Sequence, residues 1–141
     1  MTVKRRDIFI LIAHANAFAG ELLAGALNRH LCFRVAARAT TAHEVVEAVR
    51  SLDLDVALIN ATLADGPLSG FRALRQMREC SPEVKTVVLL DCPEPNLIVD
   101  AFWAGAKGVF CPSQSTFKTL CRCVDCVDAG SSGRIAANCP T

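Results

Sequence analysis

No apolar run in this sequence is long enough to cross a bilayer. The run after Lys4-Arg5-Arg6 extends for about ten residues, against the ~20 that a spanning helix needs. Acidic Asp7 stands at its head and a strand-like pattern follows, which argues against a secretory leader. Charge of one sign is also missing: 15 Lys and Arg face 14 Asp and Glu, a net charge of +1. So weak a field gives no basis for direct nucleic-acid or membrane attraction by this chain. There is no internal repeat and no low-complexity segment. Neither a G-x-G-x-x-G nor a P-loop follows the first strand-like run, and no nucleophile–base pair is visible, which argues against a nucleotide-binding enzyme. These absences imply a cytoplasmic protein that is not an enzyme.

What is present is apolar. Hydrophobic residues make up 52% of 141 positions, enough for one domain with one good core. Eight cysteines are many for such a chain, yet several lie in apolar runs, where the thiol acts as a small hydrophobe. A disulfide scaffold is usually shorter and poor in core residues. The thiols are therefore read as reduced.

The organising stretch is Val56 to Asn60, a short apolar run ending on an amide, with the turn-rich loop Ala61 to Gly70 behind it. Such a run suits a strand buried on both faces. Similar runs are Asp7–Ala13, Leu31–Ala36, Val84–Leu90 and Lys107–Cys111. Between them lie helical patterns. Phe18, Leu22 and Ala26, with Leu23 beside them, mark an apolar stripe in Phe18–Arg29. Thr41 and Glu44 form a capping-box pattern ahead of Ala42, Val45, Val46 and Val49. Leu68–Cys80 turns Phe71, Leu74 and Met77 inward. A helix around Leu97, Ile98, Ala101 and Phe102 ends at Gly105, a C-cap signal. The last helix, capped by Ser115 or Thr116, sets Phe117, Leu120, Val124 and Val127 on one side and closes at Gly130.

Strand and helix alternate five times. The right-handed crossover rule then gives an α/β fold, a doubly wound (βα)5 of the CheY-like or flavodoxin-like kind, with a parallel sheet ordered 2-1-3-4-5. Residues 1–130 form the domain, and 131–141 read as a linker or tail. Chemistry in such folds sits at the carboxyl ends of the strands, where Asn60 lies.

The pattern resembles the receiver domains of bacterial two-component response regulators, in particular the NarL/FixJ or LuxR-type subfamily. The residues that carry the resemblance are Ile10–Ala13, Leu54–Ile59, Asp65-Gly-Pro-Leu-Ser-Gly-Phe71, Val88–Leu90, and Ala101-Phe-Trp-Ala-Gly-Ala-Lys-Gly-Val-Phe110. Gly133–Asn138 is weakly similar to the linker that precedes a helix-turn-helix domain. The resemblance implies transcription regulation through a DNA-binding output domain, which this chain lacks, so the chain is either a stand-alone receiver or part of a longer regulator. It also implies a phosphorelay site: an acidic pair that binds Mg²⁺, an acceptor aspartate, a hydroxyl and a lysine. In this sequence the acidic pair falls on His14 and Ala15, the acceptor on Asn60, the hydroxyl on Leu90 and the lysine on Pro112. The family's aromatic switch position falls on Val109.

An aspartyl phosphate needs a carboxylate nucleophile, which an amide is not. Mg²⁺ prefers oxygen ligands, and neither His14 nor Ala15 supplies a carboxylate. Without metal and lysine, nothing offsets the charge that develops in phosphoryl transfer. Asp65 and Asp91 are displaced from the required positions. The expectation is a degenerate receiver, or pseudo-receiver, with no catalytic residue, metal or cofactor. It would signal by protein–protein contact as a homodimer. Candidate surfaces are the outer faces of the first and last helices, or the face of helix four, strand five and helix five, with Trp103, Val109, Cys123 and Cys126.

Other signals have plainer readings. Cys121, Cys123 and Cys126 suggest a thiol- or metal-sensing module, the alternative function. However, three thiols cannot converge from one helix, and Cys123 and Cys126 fall off the expected core stripe. His14 is a candidate ligand or general base by residue type but has no evident carboxylate or Cys partner. Trp103 either packs under a loop or lies in an interface. Lys4, Arg5 and Arg6 read as a solvated terminus.

Overall fold

The computed structural model describes residues 6–130 and, for the backbone alone, the segment 135–136. The strands are β1 (Ile8–Ala13), β2 (Phe33–Ala39), β3 (Val56–Asn60), β4 (Lys85–Leu89), β5 (Gly108–Phe110) and a two-residue β6 (Ile135–Ala136). The helices are α1 (Ala17–Asn28), α2 (Ala42–Ser51), α3 (Ser69–Cys80), α4 (Pro95–Ala104) and α5 (Phe117–Asp128). All pairings are parallel, in the order β2-β1-β3-β4-β5-β6. The first five strands thus take the expected 2-1-3-4-5 order. The tail, expected as a linker, adds β6 at one edge; the rest of 131–141 lies outside the described residues.

The strands alternate faces, and the sheet divides the core in two. On one side Ile10, Ile12, Leu58, Val87 and Leu89 pack under α1 and α5. On the other, Leu11, Ala57 and Ile59 pack under α2 and α3, and Val88, Leu90 and Val109 pack under α3 and α4. β3 is buried along its whole length, as a central strand covered on both faces should be.

Several expectations on register need correction. β2 starts two residues later than read and runs three further. Leu31 is apolar but 87% exposed, and it lies in a turn before the strand. β2 is an edge strand that sets Arg34, Ala36 and Arg38 outward, with a register shift opposite Ile10/Leu11. Charged edge residues of this kind oppose stray pairing. In α1 the buried face is Gly20, Ala24 and Leu27, not the larger stripe: Phe18 is 67% and Leu22 60% exposed. Small residues let that helix lie close to the sheet, and the bulky ones face out. In α5, Leu120, Cys123, Val124 and Val127 form the buried i, i+3, i+4, i+7 face. Cys123 therefore belongs to the core, whereas Phe117 lies at the helix start and is 42% exposed.

The helix ends explain much of the local order. Thr41 Oγ1 accepts from Glu44 N at 3.2 Å, and Thr116 caps α5 through Thr119 N at 3.2 Å. Gly105 ends α4 at φ 118°, and Arg78 donates to the carbonyls of Trp103 (3.3 Å) and Ala104 (3.4 Å) there. Arg6, expected to be solvated, bridges Asp55 at 2.8 Å and Asp128 at 3.0 Å, clamping β3 and α5.

Candidate functional site

The carboxyl ends of β1, β3, β4 and β5 open onto the loops that carry His14, Asn60, Leu90 and Pro112. His14 follows β1, its amide bonded to the Ala39 carbonyl at 3.0 Å. Its Nδ1 accepts from Asn16 N at 3.0 Å, which spends that nitrogen on the loop. Asn16 in turn caps α1 through Ala19 N at 3.0 Å. Ala15 is exposed and offers only a methyl group. His14 also borders a groove of about 700 Å³ between α1 and β2 that Gly20, Glu21, Ala24 and Thr40 help to line.

Asn60 ends β3 and is 5% exposed. Its Oδ1 accepts from Thr62 N at 3.0 Å, an Asx turn that bends the chain out of the strand. The loop beyond is tied down by Ser69, whose hydroxyl donates to the Gly66 carbonyl at 2.7 Å and accepts from Leu63 N at 3.0 Å. Leu68 holds φ 57°, a left-handed conformation that costs a non-glycine residue energy. This strained turn delivers Gly70 against β3: a Cβ there would strike the Asn60 carbonyl oxygen, and the Gly70 amide bonds to the Ala61 carbonyl at 2.9 Å.

Leu90 is 1% exposed and packs with Phe71, Leu74, Ala101, Val109 and Cys111. An apolar plug stands where the resemblance implies a hydroxyl. The Leu90 amide bonds to the Phe110 carbonyl at 2.9 Å, and its carbonyl accepts from Cys111 Sγ at 3.1 Å. Pro112 is exposed and carries no cation. The next residue, Ser113, ties to the Asp91 carbonyl at 3.2 Å.

Two nearby carboxylates, Asp65 and Glu44, are committed elsewhere, and Asp91 is exposed. Asp65 receives Ala42 N at 3.1 Å and Arg72 at 2.9 Å, joining the β3–α3 loop to the start of α2. Burial pushes its carboxyl up, but the hydrogen bonds from Ala42 N and its own amide, with Ser69 and Arg72, hold it below the usual value. Glu44 turns back on Thr40, accepting from its amide at 2.7 Å and its hydroxyl at 3.0 Å, and these bonds hold it low as well. Among the described residues no three His, Cys, Asp or Glu side chains converge as metal ligands. A hard divalent cation of the kind the resemblance implies does not fit these donors: an imidazole nitrogen and an amide oxygen already engaged by backbone amides, and a methyl group.

The structure brings His14, Asn60, Leu90 and Pro112 to the same end of the sheet. It separates the four residues expected at an interface. Trp103 is 80% exposed on α4 and Cys126 is partly exposed, whereas Val109 and Cys123 are buried. Sequence reading missed the apolar surface pairs. Val99 and Trp103 lie one turn apart on α4, and Phe18 and Leu22 one turn apart on α1. Spacing alone cannot say whether such a pair faces the core or the solvent.

No family model matches this chain, and no curated protein matches it. Solved structures do. A two-component response regulator of the LuxR family from Aurantimonas sp. SI85-9A1 superposes with a TM-score of 0.83 at 24% identity, covering 92% of this chain and 89% of that one. The signal receiver domain of the putative response regulator NarL from Mycobacterium tuberculosis gives 0.74 at 18%, covering 86% and 98%. RcsB from Salmonella enterica serovar Typhimurium, bound to promoter P1flhDC in the presence of the phosphomimetic BeF3-, gives 0.77 at 13%, covering 91% and 62%. The chain therefore has the CheY-like fold of receiver domains, five parallel strands in order 2-1-3-4-5 with five helices.

Proposed function

We propose that this chain is the receiver-like regulatory module of a LuxR-type transcriptional regulator, and that it signals through protein contacts without accepting a phosphoryl group. The observation that carries this reading is the state of the sheet's carboxyl end. The acceptor position is an amide bonded to the following loop, and the hydroxyl position is a leucine buried in the core. Neither supplies a nucleophile or a ligand for phosphoryl oxygens. The resemblance to promoter-bound RcsB supports a DNA-binding output domain in the longer protein, with this module serving as its partner-sensing half. NMR titration with beryllofluoride and Mg²⁺ tests the reading. The expected result is no saturable shift in the amides of residues 14, 60–62 and 90–91; shifts saturating at micromolar concentration would overturn it.

A module without a chemical switch keeps its value through association, so the reading includes a homodimer. The surface proposed is the α4 face around Trp103 and Val99, where a large exposed aromatic and a branched aliphatic lie one turn apart. Val109 and Cys123 drop out of it because they are buried. Sedimentation of the wild type under reducing conditions should show a dimer that Trp103→Ala weakens at least tenfold. If Phe18→Ala weakens it instead, the α1 face is the interface. A monomer at high micromolar concentration removes the dimer from the account.

A further inference from the structure

We propose that Cys92 and Cys111 form a peroxide-responsive thiol pair at the carboxyl end of the sheet, joined by oxidation into an intramolecular disulfide. The strand register puts them there. Leu89 pairs with Phe110, so the next rung sets Leu90 beside Cys111, and the Cys111 thiol bonds to the Leu90 carbonyl at 3.1 Å. Cys92 lies two residues beyond Leu90, in the bend between β4 and α4. Ser113 ties the intervening Asp91 to the loop after Cys111 at 3.2 Å. Cys92 is thus two residues along the chain from the carbonyl that holds the Cys111 thiol, near enough for the two thiols to act on each other. Closing a disulfide brings the two Cα atoms to about 4.4–6.8 Å and so asks for a shift of the loop backbone. Cys92 lies on the loop 91–94, outside any helix or strand, and that loop is the part that would shift.

The two cysteines differ in the way a sensing and a resolving thiol should. Cys92 is exposed and meets a small oxidant directly, whereas Cys111 is 3% exposed and is shielded from it. Burial pushes the Cys111 thiol up, and the neighbouring Cys92 and Asp91 push it further, so in the resting state it stays protonated. Cys80, also exposed, sits at the end of α3 that leads into β4, and provides an internal control.

The chemistry balances with hydrogen peroxide as the two-electron oxidant. The Cys92 thiolate attacks one peroxide oxygen, the O–O bond breaks, and hydroxide leaves as Cys92 becomes a sulfenic acid. The Cys111 sulfur then attacks the Cys92 sulfur. The S–S bond forms, the S–O bond breaks, and the hydroxyl departs as water with the Cys111 proton. A low-molecular-weight thiol reverses the step by exchange. Closure would draw the β4–α4 loop toward β5 and remove the Cys111 bond to Leu90. The pairing rests on strand register and exposure, and holds or fails whether or not Asn60 can take up a phosphoryl group.

The full chain, fully reduced, would be treated with hydrogen peroxide in the presence and absence of dimedone, digested without reduction and mapped by mass spectrometry. The expected result is a Cys92–Cys111 linked peptide, with both thiols lost to alkylation and regained on adding glutathione. Dimedone should accumulate at Cys80 but not at Cys92, and should move to Cys92 at least tenfold in Cys111→Ala or Cys111→Ser. Far-ultraviolet circular dichroism would confirm that the variant used is folded. Stable dimedone labelling of Cys92 in the wild type, or peroxide-driven linkage of Cys92 only between chains, would overturn the proposal.

Discussion

The two ends of the sheet are built from different chemistry. At the amino-terminal end, charge is concentrated and used. Asp55 accepts from Phe9 N at 2.8 Å and from Arg6 at 2.8 Å, Arg6 reaches Asp128, and Lys85 Nζ donates to the Asp128 carbonyl at 3.0 Å. β1, β3, β4 and α5 are fastened together there. At the carboxyl-terminal end, where this fold ordinarily places its reactive groups, an amide, a leucine, an alanine and a proline occupy the strand ends. The nearby carboxylates Asp65 and Glu44 are spent on holding loops and helix starts. At the amino-terminal end charge serves architecture, whereas at the other end the residues on the strand ends are uncharged and Leu90 is buried.

The largest expected effect comes from Gly70→Ala, which sharpens the contrast at the closed end. The new methyl would meet the backbone of Asn60 and Ala61, and main chain yields less readily than side chain. The expected loss is about 3 kcal/mol, the upper part of the range for overpacking, read from urea denaturation. Gly25→Ala on α1 is the control: nothing lies within 4 Å of its added methyl. It should raise stability by ~0.5–1 kcal/mol through helix propensity.

Next is Leu90→Thr. It trades a buried isobutyl group for a hydroxyl with no assigned partner, so stability should fall by roughly 1.5–3 kcal/mol. Calorimetry checks this, and an unchanged melting temperature would mean that the closed end is open. At the other end, Asp55→Ala removes the acceptor for Phe9 N and one ion-pair partner, for a loss of about 1–2 kcal/mol. Arg6→Ala should cost less than about 1 kcal/mol, because its side chain is 60% exposed and the pairing is screened. If the two substitutions cost the same, the clamp acts through Arg6 rather than through the bond from Phe9 N to the Asp55 carboxylate.

The smallest effect is a pH dependence at the closed end. The Asp65 carboxyl is held below its ordinary 3.8 in the folded chain. A lowered folded value means that its contribution is fully present above the unfolded value and is lost as pH falls through the folded one. Stability should therefore decline below about pH 4, and Asp65→Asn should flatten that acid limb. A limb unchanged in Asp65→Asn would show that the loop bond to Ala42 does not contribute.

Much of the fold was legible because apolar runs alternated with helical spacing and turn residues stood between them. Val56–Asn60, the Thr41 cap and the Gly105 C-cap follow from local chemistry and fall where they were read. The α1 face did not, since Gly20 and Ala24 contribute little to any hydrophobic pattern yet are the residues that let the helix approach the sheet. For α5 the signal was present: Leu120, Cys123, Val124 and Val127 keep i, i+3, i+4, i+7 spacing. Counting Phe117 into the stripe turned the reading away from Cys123. The Arg6–Asp55–Asp128 clamp joins residues 49 and 122 positions apart, a distance that no local pattern spans. At the candidate site the residue types were legible. The Asx turn at Asn60, the strained turn at Leu68 and the engagement of His14 Nδ1 needed the folded chain.

The measurement that bears most directly on the account is intact mass after incubation with acetyl phosphate and Mg²⁺, on the wild type and on Asn60→Asp. The account predicts an unchanged mass for the wild type. It predicts at most a trace adduct for Asn60→Asp, because His14, Ala15, Leu90 and Pro112 still supply neither metal ligands nor partners for the phosphoryl oxygens. A wild-type mass increased by one phosphoryl group, mapped to any residue at the carboxyl end of the sheet, would contradict it.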